Sequence, residues 1–206
     1  MRFLFGRPAV SIPTLSRRFV LGAACGLVAG AGFAAAPAAA QDAAALINNI
    51  ANRLLTLLKS GVSDAERERE MSTMLRQSFD LPAIGRTVLG RHWNAATPQQ
   101  QQRFLAAFER SEVRAYSSRF REYSGQSLVV GKVTHQPPKD LVNSQIVQPN
   151  GGPAIRLVWE VVNGKIVDVT IEGVSMAITR RSDFNGYIQR NGLDALIAEL
   201  ERRASA

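Results

Sequence analysis

The hydrophobic period of this chain turns from helical to alternating at Gly125, and that change limits its fold more than any single motif. Upstream of it apolar residues recur at helical spacing, and downstream they alternate. The stretches "QSLVVGKVTH", "LVNSQIVQ", "AIRLVWEVV" and "KIVDVTIEG" read as strands, separated by Pro137-Pro138, by Asn150-Gly151-Gly152-Pro153 and by Asn163-Gly164. Connections this short join antiparallel neighbours. Helices first and strands second predict an α+β domain: a curved antiparallel sheet of about four strands, with helices packed on one face and an apolar cavity enclosed between them.

The helical half carries its own start and stop signals. "ALINNIANRLLTLLKS" places Ile47, Ile50, Leu54 and Leu57 on one side and stops at Gly61. Ser63 and Glu66 have capping-box spacing ahead of a helix whose apolar side holds Met71, Met74 and Leu75. Asp80 is placed to cap a short third helix that Gly90 ends, and Thr97-Pro98-Gln99-Gln100 opens a fourth, expected to run to about Tyr123. Phe104, Leu105, Phe108, Ala115, Tyr116 and Phe120 cover a broad side of that fourth helix. Two terminal helices follow the strands, one from about Ser182 and one over "LDALIAELERRA".

The turn Asn163-Gly164 sets an expected register. With two turn residues Val162 pairs with Lys165, so Val158 and Val169 share one face while Trp159 and Asp168 share the other. Which face meets the helices is not decided by composition.

Residues 1–40 read as an export address and residues 41–206 as one domain. Arg2, Arg7, Arg17 and Arg18 precede an Ala/Gly-rich apolar run that closes on Ala38-Ala39-Ala40, and "SRRFVLG" has the twin-arginine form. General export of an unfolded chain is the alternative route, and both lead out of the cytoplasm. Cys25, the only cysteine, lies in this segment, so cleavage leaves no thiol for a disulfide, a nucleophile or a metal. The segment holds four basic and no acidic residues; beyond it 21 basic residues face 17 acidic ones, a net charge of +4 that gives little support to nucleic-acid binding.

The remaining chain offers little chemistry. His92 and His135 stand in different halves with no carboxylate at ligand spacing, and no HExxH, CxxC or Asp-rich loop is present, so no metal site is expected. Gly173-Val174-Ser175-Met176-Ala177 half matches a nucleophile elbow, but no histidine follows Ser175. Asp168, as a base in a pocketed curved sheet, is the one enzymatic alternative; against it stands its place on the polar side of an alternating strand. No phosphate loop or dinucleotide fingerprint occurs.

The segment "KIVDVTIEGVSMAITRRSDFNGYIQRNGLDALIAEL" resembles the closing part of the MlaC, or toluene-tolerance, family, through Lys165, Asp168, Val169, Glu172, Gly173, Val174, Ser175 and Arg180 or Arg181, then Phe184 and Gly192. "FDLPAIGRTVLGRHWNAATPQQQQRFLAAFERSEVRAYSSRFREYSG" is similar to an earlier part of that family, through Phe79-Asp80, Ala83-Ile84, Val88-Leu89-Gly90, Trp93, Thr97-Pro98, Phe104, Phe108 and Tyr116. The resemblance implies a periplasmic, non-enzymatic, monomeric carrier without a cofactor, whose cargo is a phospholipid or, in a related branch, a hopanoid. Its implied partners are an outer-membrane lipoprotein complex and an inner-membrane ABC transporter complex that together maintain outer-membrane lipid asymmetry. The implied cleft has walls of Val129, Val158 or Trp159, Val169 and Ile171 on strands and Phe104, Phe108 and Tyr116 on a helix, with Arg180 or Arg181 at its mouth near phosphate.

Overall fold

The computed structural model describes residues 38–119 and 123–205. The expected export segment falls outside them except for its last three alanines, and Phe120 also falls outside. Among the described residues five helices precede the sheet: α1 (Ala38–Lys59), α2 (Asp64–Ser78), α3 (Leu81–Leu89), α4 (Arg91–Ala95) and α5 (Pro98–Arg119). Strands β1 (Ser127–Gln136), β2 (Lys139–Val147), β3 (Ile155–Val162), β4 (Lys165–Ile171) and β5 (Val174–Ser175) form one antiparallel sheet in sequence order. Helices α6 (Met176–Asn191) and α7 (Leu193–Ser205) end the described chain. The predicted α+β class and antiparallel meander are what the structure contains.

The start signals act through the backbone groups that a first helical turn leaves without partners. Thr97 and Gln100 form a full capping box: the Gln100 amide donates to Thr97 Oγ1 at 3.2 Å, and the Thr97 amide donates to Gln100 Oε1 at 3.0 Å. At α2 only half of the expected box exists, since Ser63 Oγ accepts from the Glu66 amide at 3.2 Å while the Glu66 carboxylate pairs with Arg69. Asp80 Oδ1 accepts from the Ala83 amide at 3.0 Å and opens α3.

Two turns with left-handed residues shape the end of the sheet. Asn163 (φ 50°) and Gly164 (φ 72°) join β3 to β4, and Glu172 (φ 49°) and Gly173 (φ 82°) fold β5 back on β4. Glu172 is held there by Arg156, whose amide donates to one carboxylate oxygen at 2.5 Å and whose guanidinium reaches the other at 3.2 Å. These bonds hold its carboxyl below the ordinary value of 4.5, the backbone bond contributing most.

The expected register is overturned inside β4. Val162 does pair with Lys165, and Val161 pairs with Ile166, but Glu160 then pairs with Asp168 and Trp159 with Val169. Val167 is an extra residue on β4, and one extra residue reverses the facing of everything after it. Trp159 and Val169 therefore share a face, and Val158 shares the other with Asp168 and Thr170.

Helix α6 begins at Met176, six residues before the expected Ser182, because Ser175 and Asp168 both cap it. Ser175 Oγ accepts from the Ile178 amide at 3.1 Å, and Asp168 Oδ1 accepts from the Ala177 amide at 3.0 Å.

Apolar packing divides into two clusters. The helical one joins α3, α5, α6 and α7 around Phe104, Phe108 and Phe184, whose ring centroids lie 5.6, 6.0 and 6.1 Å apart. The other lies between α1, α2 and one face of the sheet, with Ile47, Met71, Met74, Val142, Val161 and Ile166 buried in it. Helix α5 serves both, since Phe104 and Phe108 enter the first and Val113 the second. The outer edge of β4 is closed by β5 at one end and at the other by the α2–α3 junction, where the Asp80 amide donates to the Ile166 carbonyl at 2.9 Å.

Candidate functional site

The helix-covered face of the sheet can be read from burial along β2. Asp140, Val142 and Ser144 are buried while Asn143 and Gln145, between and beside them, are exposed. Register then places Leu128, Val130 and Val133 of β1, Trp159 and Val161 of β3, and Ile166 and Val169 of β4 on that same face. Against it α1 sets Ile47, Ile50 and Leu57, spaced so that they lie along one side of the helix, and α2 sets Met71 and Met74.

This layer is less completely closed than the helical cluster. Leu54, Leu75, Phe79, Leu128, Val130, Val133, Trp159 and Val169 all pack against it while remaining partly exposed. A buried apolar core with a partly exposed apolar fringe is a surface able to accept more hydrocarbon. Met71 and Met74, unbranched and flexible, are the side chains best suited to repacking around a guest.

His135 Nδ1 and Asp140 Oδ1 pair at 2.6 Å at the β1–β2 hairpin end of this face, and a second polar pair sits among its valines. Trp159 Nε1–H donates to Ser144 Oγ at 2.8 Å, and Ser144 is 3% exposed. Without that bond both groups would be polar atoms set among Val142, Val130 and Val169 at a desolvation cost.

The residues expected to form one cleft are therefore distributed over several places. Trp159 and Val169 meet as a cross-strand pair on the helix-covered face, and Ile171, two residues beyond Val169, pairs with Leu157. Val158 lies on the opposite face, and Val129 is there too, 54% exposed and paired with Gln145. Phe104 and Phe108 are stacked in the helical cluster, at 0% and 4% exposure. Tyr116 stands near the end of α5, 37% exposed and close enough to act electrostatically on Arg180. Sequence reading missed Val142, Ser144 and Ile166 as parts of the apolar face, because Asp140 and Ser144 interrupt the inner side of β2 and the Val167 bulge hides Ile166.

The two neighbouring arginines part company. Arg180 is half-buried, with Nε 3.0 Å from Glu112 Oε1. Burial is the largest single influence and opposes its charge, but Glu112 together with Tyr116 and Asp183 raises its pKa above the ordinary arginine value. It lines a 470 Å³ crevice between α2, α5, α6 and α7, with Glu68, Arg114, Ser117 and Arg203. Arg181 is exposed and lines a different crevice, of 430 Å³, with Leu89, Arg91, Ile178, Ser182 and Asn185.

Asp168 is fully engaged in structure. Its carboxylate accepts from the Val169 amide at 2.8 Å, the Ala177 amide at 3.0 Å and the Ser175 hydroxyl at 2.5 Å. No group of three or more metal-ligating side chains occurs among the described residues. No helix among them is long and apolar enough to cross a membrane.

Residues 48–202 match the family model described as MlaC protein. The chain belongs to the MlaC family. Among MlaC relatives, the intermembrane phospholipid transport system binding protein of Haemophilus influenzae is 22% identical over 173 residues, 78% of this chain and 81% of the relative. The toluene tolerance protein ttg2D of Pseudomonas putida is 26% identical over 129 residues, 60% of each chain. The structure of a phospholipid-binding protein from Ralstonia solanacearum, solved in complex with a phospholipid, superposes with a TM-score of 0.67 at 23% identity, covering 80% of this chain and 97% of the other. That likeness establishes a shared fold.

Proposed function

We propose that this chain is a periplasmic phospholipid carrier that takes acyl tails into the layer between α1, α2 and the sheet. The observation that carries the reading is the apolar face of the sheet, from Leu128 through Val142 and Trp159 to Val169, with its partly exposed fringe. The MlaC assignment supports it, as do a relative named for binding in an intermembrane phospholipid transport system and a structural neighbour that holds a phospholipid.

The energetics state what such a carrier must do. A diacyl lipid has on the order of 30 methylenes, and at about 0.8 kcal/mol each their exposure to water costs roughly 25 kcal/mol. Tails must therefore be covered almost completely while the headgroup stays wet. Repacking of Met71, Met74 and the fringe residues supplies the covered volume; Arg180 and Arg181 open into different crevices, so no more than one of them faces the headgroup. Asp168 has no part as a base, its oxygens being occupied by Val169, Ser175 and Ala177.

In this reading the loaded monomer shuttles between an outer-membrane lipoprotein complex and an inner-membrane ABC transporter complex, and so maintains outer-membrane lipid asymmetry. The test is mass spectrometry of the purified protein under native and then denaturing conditions, with organic extraction. The expected result is stoichiometric phospholipid. Protein that is empty and stays empty after incubation with phospholipid vesicles would overturn the reading, and a hopanoid would keep the fold and change the cargo.

A further inference from the structure

The crevice between the α3–α4 junction and α6 is lined by cationic side chains with no acid to balance them. Its six lining residues, Leu89, Arg91, Ile178, Arg181, Ser182 and Asn185, include two guanidinium groups and no carboxylate. The 470 Å³ crevice, by contrast, sets Arg114, Arg180 and Arg203 against Asp64, Glu68 and Glu112 and is internally neutralised. Asp183, the acid nearest in sequence, interacts electrostatically with Arg180.

One cation is tied by a hydrogen bond and the other rests against backbone. Arg91 donates to Asn185 Oδ1 at 3.2 Å, and the same oxygen is 2.9 Å from His92 Nε2, so Asn185 fixes one side of the crevice. Arg181 lies across Gly90, where a β-carbon would stand 2.7 Å from its Nε and 3.1 Å from its Cζ. The missing side chain at Gly90 is therefore what lets this guanidinium rest against the α3–α4 junction. Leu89, 1% exposed, and Ile178, 56% exposed, add an apolar floor and rim beside the charges.

We propose that this crevice is a binding site for a phosphate ester, with Arg91 and Arg181 as its guanidinium donors and Ser182 as a hydroxyl donor. Two planar forks and a hydroxyl match the several oxygens of a phosphate better than the two of a carboxylate, which a single arginine satisfies. The apolar rim selects an ester carbon over the free ion. The volume of 430 Å³ lies in the range of sites that take small organic ligands. The phosphate is borne either by a lipid headgroup or by a soluble ester, and the site requires neither that tails occupy the sheet layer nor that the chain be a carrier.

The test uses the full chain, with calorimetric titration of glycerol 3-phosphate and of inorganic phosphate, and flotation with phosphatidylglycerol or phosphatidylcholine vesicles. The wild type binds glycerol 3-phosphate, and R91Q/R181Q binds it roughly tenfold or more weakly, the loss expected when charge-assisted bonds are removed. K132Q, which removes one exposed charge from β1, leaves binding unchanged. Flotation on phosphatidylglycerol that glycerol 3-phosphate competes away identifies the headgroup as the source; titration without flotation identifies a soluble ester. Because Arg91 also ties α4 to α6, R181Q alone is the second variant: the Arg181 guanidinium lies exposed across Gly90, so its loss leaves the α4–α6 tie intact, and this variant too must weaken binding. No binding of any of these probes by the wild type, or binding unchanged in R181Q and in the double variant, overturns the proposal. Wild type that lacks extractable lipid but binds the ester removes the carrier reading and leaves this one standing.

Discussion

Trp159 and Ser144 are hydrogen-bonded across β3 and β2 on the face of the sheet that α1 and α2 cover, with the indole N–H donating at 2.8 Å. It lies among the valines of that face, apart from the His135–Asp140 pair at the β1–β2 hairpin end. Ser144→Ala leaves the indole donor without its partner and is expected to lower stability by about 1–3 kcal/mol. In a Trp93→Phe background, where Trp159 is the only tryptophan, lipid loading should shift its emission to the blue. Emission that is the same in loaded and delipidated protein would separate Trp159 from the cargo.

Val130 and Val129 are neighbours on β1 that face opposite ways, Val130 into the sheet–helix layer and Val129 toward solvent at 54% exposure. Val130→Asp is expected to cost about 1–3 kcal/mol and to cut lipid content severalfold, because it sets an unpaired polar group in the acyl layer. Val129→Asp should change stability by no more than about 0.5 kcal/mol and leave lipid content intact. Equal lipid loss in both variants, read by extraction from folded protein, would contradict the assignment of faces.

The difference between those two valines marks where the sequence stopped being legible. Helix starts were readable because a cap is a local device: Thr97 and Gln100 satisfy each other's backbone amides whatever surrounds them. The Asn163-Gly164 turn was readable for the same reason, since both residues tolerate positive φ. Val167 was not, because a bulge residue has no composition of its own, and its effect appears only in the pairing of Glu160 with Asp168. Phe104 and Phe108 look the same in sequence whether they meet lipid or Phe184, and the residues they pack against come from α6 and α7, far along the chain. Ser175 could have been read as a helix cap, but the apolar Met176, Ala177 and Ile178 after it continue the strand pattern without a break.

Phe184→Ala tests that last assignment. The ring stands edge-on to both Phe104 and Phe108, and Phe184 is 5% exposed, so truncation should cost about 3–5 kcal/mol through the cavity it leaves. Lipid per folded molecule should hardly change, since the helical cluster is separate from the sheet layer. A large loss of lipid with little loss of stability would instead place these rings in the cargo site.

Glu172 gives a pH dependence with a definite sign. Its folded carboxyl titrates below 4.5 because the Arg156 amide and guanidinium hold the charged form. A depressed folded value means the contribution is present above the unfolded value and is lost as pH falls through the folded one. The melting temperatures of wild type and Glu172→Gln should therefore differ at pH 7 and converge toward pH 3. As the side chain is exposed the gap will be small, and a gap that persists unchanged at pH 3 would show that charge is not its source.

Asp168 is the residue at which enzymatic and structural readings differ most sharply. Its carboxylate joins three parts of the fold, the β4 backbone at Val169, the β5 hydroxyl at Ser175 and the first turn of α6 at Ala177. Hydrogen bonds to a charged group contribute about 1.5–3 kcal/mol each when one partner is deleted, and these three are too close together to be additive. Asp168→Ala is thus expected to destabilise by about 2–4 kcal/mol, with Asp168→Asn intermediate because an amide retains one acceptor oxygen. Denaturant unfolding measures the loss, and extraction of the folded fraction at low temperature should still find lipid. An Asp168→Ala protein as stable as the wild type would show that the cap at α6 does not depend on this carboxylate and would reopen the question of what it does.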